Sequence, residues 1–206
     1  MKQYIVNGSS KHAVEIYDQA RSYEEPEGII SFGPAKTVDF LSDPRRTVFS
    51  FSRYKFVAKM LAGSQSVLEI GCQEGIGTVL VAKEVKNLVA IDFYQPHLDA
   101  CLAEIAPMVP NIEFRGHDII GGPVAGAFEA AFALDVLEHI DPDQEDIFMT
   151  NVLASLGEQS TFIVGIPSLE SQEYASPGSR IGHINCKSGE DLKAFCQKYF
   201  HNVFMF

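Results

Sequence analysis

The residues of this chain best placed to do chemistry are glycines, acids and histidines that follow apolar runs. In the stretch 67–78, VLEIGCQEGIGT, Val67, Leu68 and Ile70 surround Glu69, and Gly71, Gly75 and Gly77 fall within seven positions. A buried strand that runs into a glycine-rich turn lets a ligand lie against bare backbone, with the N–H groups of the next helix turned toward it. Asp92 stands twenty-one residues after Gly71, at the end of a second apolar run over 88–91. An acid at the tip of the second strand of a βαβ unit is placed to accept hydrogen bonds from ribose hydroxyls. A second cluster lies in 129–140, EAAFALDVLEHI, where an apolar run is followed by Asp135, Glu138 and His139. These residues sit at the carboxyl end of an expected central strand, where open α/β sheets bind their ligands. With His183, in the loop after the next strand, they have the mixed oxygen and nitrogen composition of a divalent-metal site.

Elements that could bring these residues together are legible along the chain. Asp43 and Pro44 read as N-cap and first residue of a helix reaching 61, with an apolar stripe of Phe49, Phe56, Val57, Met60 and Leu61. A crossover helix over 77–86 leads to the strand ending at Asp92, and a helix over 96–106 is stopped by Pro107 and Pro110. Strands over 112–115, 130–134 and 161–166 follow, with a helix over 144–156 before the last of these. The segment 167–187 is rich in Ser, Gly and Pro and reads as a polar loop forming a rim or lid. A helix from Ser188 to Tyr199 and a strand beginning at 201 complete the pattern. This predicts an α/β fold: a doubly wound, mostly parallel sheet over 45–206, preceded by an N-terminal helical extension over 1–44. In the extension a helix over 11–22, broken at Pro26 and Gly28, serves either as packing or as a lid.

Composition bounds the partners. The chain has 206 residues, a formal net charge of −11 and a pI near 4.9. That length suits one domain, and that charge argues against nucleic acid, whose phosphates require Lys and Arg. Arg45, Arg46, Arg53, Lys55 and Lys59 are read as a solvated helix face rather than a basic patch. No apolar run reaches the roughly eighteen residues of a membrane span, and the N-terminus lacks a signal-peptide core, so a cytoplasmic protein with no membrane partner is expected. Cys72, Cys101, Cys186 and Cys196 lack C-x-x-C spacing and read as buried thiols, neither a disulfide framework nor a zinc site.

The turn at 67–78 resembles motif I of class I S-adenosylmethionine-dependent methyltransferases, hydrophobic-hydrophobic-(Glu/Asp)-hydrophobic-Gly-x-Gly-x-Gly. A dinucleotide fingerprint needs G-x-G-x-x-G, and the positions here read G-x-Q-x-G-x-G. Gln73 replaces the family's second glycine, so this position must avoid positive φ or tolerate strain. The resemblance covers 45–206 and rests on 67–78, Asp92 and 132–140. It implies S-adenosylmethionine as cofactor. Glu69 would organise the turn around the amino-acid end, and Gly71, Cys72, Gln73 and Gly75 would give close backbone approach. Asp92, with Phe93 beside it, would hold the ribose; Asp118 would accept from the adenine amine while Ile119 meets the ring; Arg53 and Asp135 would complete the cofactor set. The bland reading of Asp118 is a loop-capping acid, and Arg53 could equally dress the helix surface.

The segment 132–140 resembles the motif after strand four in small-molecule methyltransferases of the quinone-biosynthesis type. It lacks the Asn/Asp-Pro-Pro-Tyr sequence of enzymes that methylate bases in DNA. Methyl transfer needs alignment, and a hydroxyl acceptor benefits from a base; His139 is the first candidate and His183 the second. The alternatives are that His139 caps the helix starting near Asp141 and that His183 is a loop hydrogen-bonder. Asp135, Glu138, His139 and His183 are also similar to the E-x-x-E-H plus distant His set that holds metal in small-RNA 3′-end methyltransferases. Asp replaces Glu at 135 and the chain is acidic, so no metal is expected. The passage DPRRTVFSFSRYKFVAKML resembles methyltransferases of bacterial surface-sugar decoration. These resemblances imply an enzyme that methylates a small molecule at a hydroxyl oxygen, with a sugar as the preferred acceptor. The rivals are a nicotinamide-dependent oxidoreductase and a non-catalytic scaffold of the same fold. The family ends in an antiparallel strand pair of which only the first fits here, so either the chain is truncated or the sheet lacks its seventh strand. The latter leaves an edge that a second copy in a homo-oligomer could cover.

Overall fold

The computed structural model describes residues 15–19 and 30–206. The chain divides into one unit over Met1–Ile30 and another over Ser31–Phe206. Of the first unit, residues 15–19 are helical, within the helix expected over 11–22; the rest of that expectation lies outside the described residues. Among the described residues no helix is long and apolar enough to cross a membrane.

In the second unit five parallel strands form one sheet: β1 (Val67–Ile70), β2 (Leu88–Asp92), β3 (Ile112–Gly116), β4 (Phe128–Leu134) and β5 (Leu156–Gly165), in the order β3-β2-β1-β4-β5. Every residue of β1 and β2 is buried, as expected of strands covered on both faces. Pleating sends alternate side chains to opposite faces, and two cores result. Val67 joins Tyr54, Val57, Leu98 and Phe132 on one face. Leu68 and Ile70 join Phe148, Met149 and Phe195 on the other. The strand order reverses at β1, with β2 on one side and β4 on the other. A crevice therefore opens beyond the carboxyl ends of these strands, the usual ligand position in such sheets.

The helices are α1 (Gly33–Ser42), α2 (Pro44–Met60), α3 (Thr78–Ala82), α4 (Gln95–Ala100, continued by a π turn over Cys101–Ile105), α5 (Glu145–Ser155), α6 (Pro177–Gly182) and α7 (Gly189–Gln197). Asp43 caps α2 as its sequence predicts, its carboxylate accepting from the Arg45 N–H at 3.1 Å.

Two expectations are corrected. Residues 201–206 form no strand, so among the described residues the sheet has five strands, with β3 at one edge and β5 at the other. Side-chain contacts stand in place of a ladder: Phe200 stacks on Phe162 of β5 at 5.9 Å, and Phe206 meets Phe56 of α2 at 5.1 Å. The segment 167–187 is not an open loop but contains a 3-10 turn, Leu169–Tyr174, and then α6. The Ser-rich composition that signalled a loop supplies caps: Ser168 and Ser176 accept from the Ser171 and Ser179 N–H groups.

Helix α1 has no buried residue. Its first turn is held by the buried Glu74 of the glycine-rich turn, whose carboxylate accepts from the Ala35 N–H at 2.8 Å and the Lys36 N–H at 3.0 Å. Two orphan donors of the helix are thereby satisfied by a charge that also suits the helix dipole. Glu74→Ala is expected to cost α1 about 1 kcal/mol, read as about fivefold faster amide exchange over 33–42 with the sheet unaffected. Unchanged exchange there would show that other contacts hold the helix.

Candidate functional site

A cleft of about 510 Å³ occupies the crevice, with Gly71, Gln73, Asp92 and Phe93 on one side and Asp118, Ile119, Asp135 and His139 among its other walls. The turn after β1 builds its floor. Gly71 has φ +77°, and a Cβ there would come within 2.5 Å of Val136 Cγ2, so only glycine fits between the turn and the tip of β4. Gln73 has φ +48°. This residue tolerates the left-handed conformation instead of avoiding it, at a strain cost of roughly 1–3 kcal/mol. What restrains it is Asp92: Oδ2 accepts from the Gln73 N–H at 2.9 Å, while Oδ1 accepts from the Tyr94 N–H at 2.9 Å. Both oxygens keep a second lone pair for a ligand.

Three of the residues expected at the cofactor lie beneath the turn instead. Glu69 points to the α2 face, 1% exposed, where Oε1 accepts from the Tyr54 hydroxyl at 2.9 Å and Oε2 has no hydrogen-bond partner. Burial pushes its carboxyl up to about 7, against the pull of the neighbouring Thr78 and Tyr54 hydroxyls. Cys72 is buried in the same core, and its thiol is held far above the usual range by the Cys101 thiol beside it and by burial. Gly75 packs over Cys101, to which an added Cβ would stand 2.9 Å from Sγ. Alternation along β1 explains this: Glu69 shares the face of Val67, away from the second core. Arg53 also stays off the cleft wall. Its guanidinium grips both oxygens of Asp135 in a two-pronged ion pair. Asp135 is the second non-glycine residue with positive φ, +56°, among the described residues, and its N–H donates to Gly165 O at 2.8 Å. Both strained positions are therefore held by a charged partner.

On the adenine side expected from sequence, Asp118 and Ile119 do line the cleft. Asp118 Oδ1 also accepts from the Ile120 N–H at 2.9 Å, so the acid caps its loop and faces the cavity at once. At the other wall, Leu137–His139 form a 3-10 turn after β4. His139 does not cap the next turn, because Asp141 does so through the Asp143 N–H. His139 Nδ1 lies 2.8 Å from Gly182 O, and its ring centroid is 5.2 Å from that of His183. His183 Nδ1 lies 3.0 Å from Gln172 Oε1. Burial, then the neighbouring His139, lowers the His183 pKa. Glu138 is fully buried with no hydrogen bond to either oxygen; burial, then the charge of Asp135, pushes its carboxyl up to about 8. Glu138, His139 and His183 are brought together, whereas Asp135, the fourth residue of the set expected from sequence, is taken by Arg53.

Sequence reasoning missed Tyr94, His97 and Val136 on the cleft wall. His97, five residues after Asp92, packs edge-on against Tyr94 at 4.8 Å, and its place in the first turn after β2 was the only signal.

Residues 67–158 match the family model described as a methyltransferase domain. The chain is 26% identical over 131 residues to the O-antigen chain terminator bifunctional methyltransferase/kinase WbdD of Escherichia coli, a match covering 61% of this chain and 17% of that protein. The chain thus spans about a sixth of the length of the curated relative it matches. Among solved structures, the N-methyltransferase NodS from Bradyrhizobium japonicum WM9 superposes with a TM-score of 0.63 at 20% identity, covering 79% of this chain and 86% of that one. The DhpI-SAM-HEP complex does so with a TM-score of 0.60 at 16% identity, covering 94% and 90%. At such identities these likenesses speak to the fold.

The buried Glu69 generates a pH prediction. Its carboxyl rises on folding from an ordinary 4.5 to about 7, so the protonated form is favoured in the folded state and stability is lost as pH rises through that window. Glu69→Gln keeps the acceptor for Tyr54 and removes the titration. Its stability relative to the parent chain is expected to improve by about 2 kcal/mol between about pH 5.5 and 8.5 in urea unfolding. A pH-independent difference would mean that Glu69 does not titrate in this range.

Proposed function

We propose that this protein, whose residues 67–158 match a methyltransferase domain, is a class I S-adenosylmethionine-dependent methyltransferase that methylates a hydroxyl group of a small molecule. The observation that carries the reading is the cleft at the strand tips, floored by a turn whose Gln73 N–H is tied to Asp92. In this reading Asp92 receives the ribose hydroxyls, and Asp118 with Ile119 receives the adenine. Gly71, Gln73 and Asp135 face the methionine end, with Phe93 at the cleft edge. Arg53 acts through Asp135, which it orients. Glu69, Cys72 and Gly75 support the turn from below.

The reaction is an in-line displacement. The acceptor oxygen attacks the methyl carbon, the carbon–sulfur bond breaks, and the proton leaves for a base, giving a methyl ether and S-adenosylhomocysteine. His139 suits the base: its Nδ1 faces a carbonyl oxygen, so the proton sits there and Nε2 keeps its lone pair. His183 is off the cleft wall and positions the segment behind it. A saccharide acceptor is favoured by the relative named for an O-antigen chain, and the net charge of −11 disfavours a nucleic acid. A cytoplasmic setting belongs to the same reading.

Calorimetric titration with S-adenosylmethionine and S-adenosylhomocysteine, with NAD as control, tests it. Both sulfur ligands are expected to bind and NAD to give no heat, while Asp92→Ala weakens binding at least tenfold. Binding of NAD alone, or of none of the three, overturns the reading. In an assay against saccharide acceptors, His139→Ala is expected to cut turnover by about 10²-fold or more with cofactor affinity kept. Undiminished turnover removes His139 as base.

A further inference from the structure

The side chain of His139 is 47% exposed, and its ring makes one hydrogen bond among the described residues, from Nδ1 to Gly182 O at 2.8 Å. Nε2 has Glu138 Oε1 as a neighbour at 3.9 Å, beyond hydrogen-bond reach. The place of one carbonyl oxygen therefore decides which nitrogen of this histidine carries the proton. Gly182 ends α6, 43 positions away from His139 in sequence. An added Cβ there would stand 3.3 Å from His139 Cε1 and Nδ1, so glycine lets the backbone come up to the ring.

Asn185, 6% exposed, holds that backbone. The Ile184 and Asn185 N–H groups donate to Glu138 O at 2.9 and 3.0 Å, which ties the segment to the residue just ahead of His139. The Asn185 side chain closes a ring of three. Its Nδ2 donates to Glu145 Oε2 at 3.0 Å, Lys187 Nζ donates to its Oδ1 at 3.1 Å, and Lys187 Nζ pairs with Glu145 Oε2 at 2.6 Å. A carboxylate can only accept and an ammonium can only donate, so the amide has one orientation. Glu145 stands in the first turn of α5, where the helix dipole suits its charge, and Phe148, Met149 and Val152 fasten that helix to the core. By contrast α6, just ahead of the segment, has no buried residue.

We infer that Asn185, locked between Glu145 and Lys187, is a positioning residue for His139. It fixes Gly182 O, which selects the Nδ1–H tautomer and leaves the Nε2 lone pair to take the proton of an acceptor hydroxyl. Asn185 itself is not on the cleft wall, whereas His139 is, so it acts through the histidine alone. The tautomer is a property of the chain; its use in methyl transfer rests on the methyltransferase reading. One net hydrogen bond is worth about a fivefold preference for one form over the other, so a displaced carbonyl forfeits most of the selection.

The test is long-range proton–nitrogen correlation NMR of the whole chain carrying isotope-labelled histidine, above the pH range in which imidazole is charged. His139 is assigned by its absence from the spectrum of His139→Ala. Its Nδ1–H form is expected to predominate by about fivefold or more in the parent chain. In Asn185→Ala the two forms are expected to approach parity, seen as Nδ1 and Nε2 resonances that move toward each other. His117 is the internal control: its Nε2 lies 2.9 Å from Gly122 O, so the opposite tautomer is expected there and is expected to stay. If Asn185→Ala fails to fold, Lys187→Ala, which removes the partner of Asn185 Oδ1, decides the matter. Three results overturn the inference: an Nε2–H form or an even mixture in the parent chain, a His139 tautomer unchanged in the variant, or a change shared by His117, which marks general loosening. Because no cofactor or acceptor is present, that failure is separate from a failure of the calorimetric titration with S-adenosylmethionine.

Discussion

The hydrogen bond from the Gln73 N–H to Asp92 Oδ2 is the constraint on which the cleft depends. It joins the turn after β1 to the tip of β2 and holds a glutamine where the backbone favours glycine. A strained residue persists only when its surroundings over-determine it, and here they do. The Gly71 and Cys72 N–H groups both donate to Ile91 O, at 2.8 and 3.0 Å, so the same neighbouring strand also fixes the turn just ahead of the strain. Asp135 repeats the design at β4, with Arg53 in the role of Asp92. Among the described residues, the two non-glycine residues with positive φ thus sit at the tip of a strand flanking β1 or are tied to one.

What the sequence made legible follows from local periodicity. Apolar runs located all five strands, and the glycines and Asp92 located the turn and its neighbour. Asp43 and Pro44 marked the start of α2. The unread parts are tertiary. Nothing local tells whether Glu69 faces the cleft or the core, because the residues of β1 are buried on both faces and alternation carries no polar signal. The partners Tyr54 for Glu69 and Arg53 for Asp135 come from α2, and the latter spans 82 positions in sequence. Ser168 and Ser176 read as loop because serine favours turns and N-caps alike. At 201–206 a strand-like composition met no ladder; Phe206 packs by side chain on Phe56, and Phe200, just ahead of the segment, packs on Phe162.

The electrostatics of the site follow one pattern. Carboxylates close to the cleft are paired or hydrogen-bonded, Asp92 to backbone, Asp118 to its own loop, Asp135 to a guanidinium. Two others, Glu69 and Glu138, are buried and each keeps an unpartnered oxygen. Desolvation without compensation is costly, and the two differ in what offsets it. Tyr54 faces Glu69 with a hydroxyl donor; Glu138 faces imidazole nitrogens, which present lone pairs.

Glu74 sits between Gln73 and Gly75, yet its carboxylate caps α1. The turn is therefore shared property: one backbone segment floors the cleft on one side and anchors an otherwise unburied helix on the other. Linkage makes the sharing reciprocal. Whatever free energy α1 contributes to this shape of the turn, an occupant of the cleft that prefers the same shape gains in affinity, and α1 gains the same amount in order when the cleft is filled. The helix is in effect a gauge of occupancy carried on the outside of the molecule.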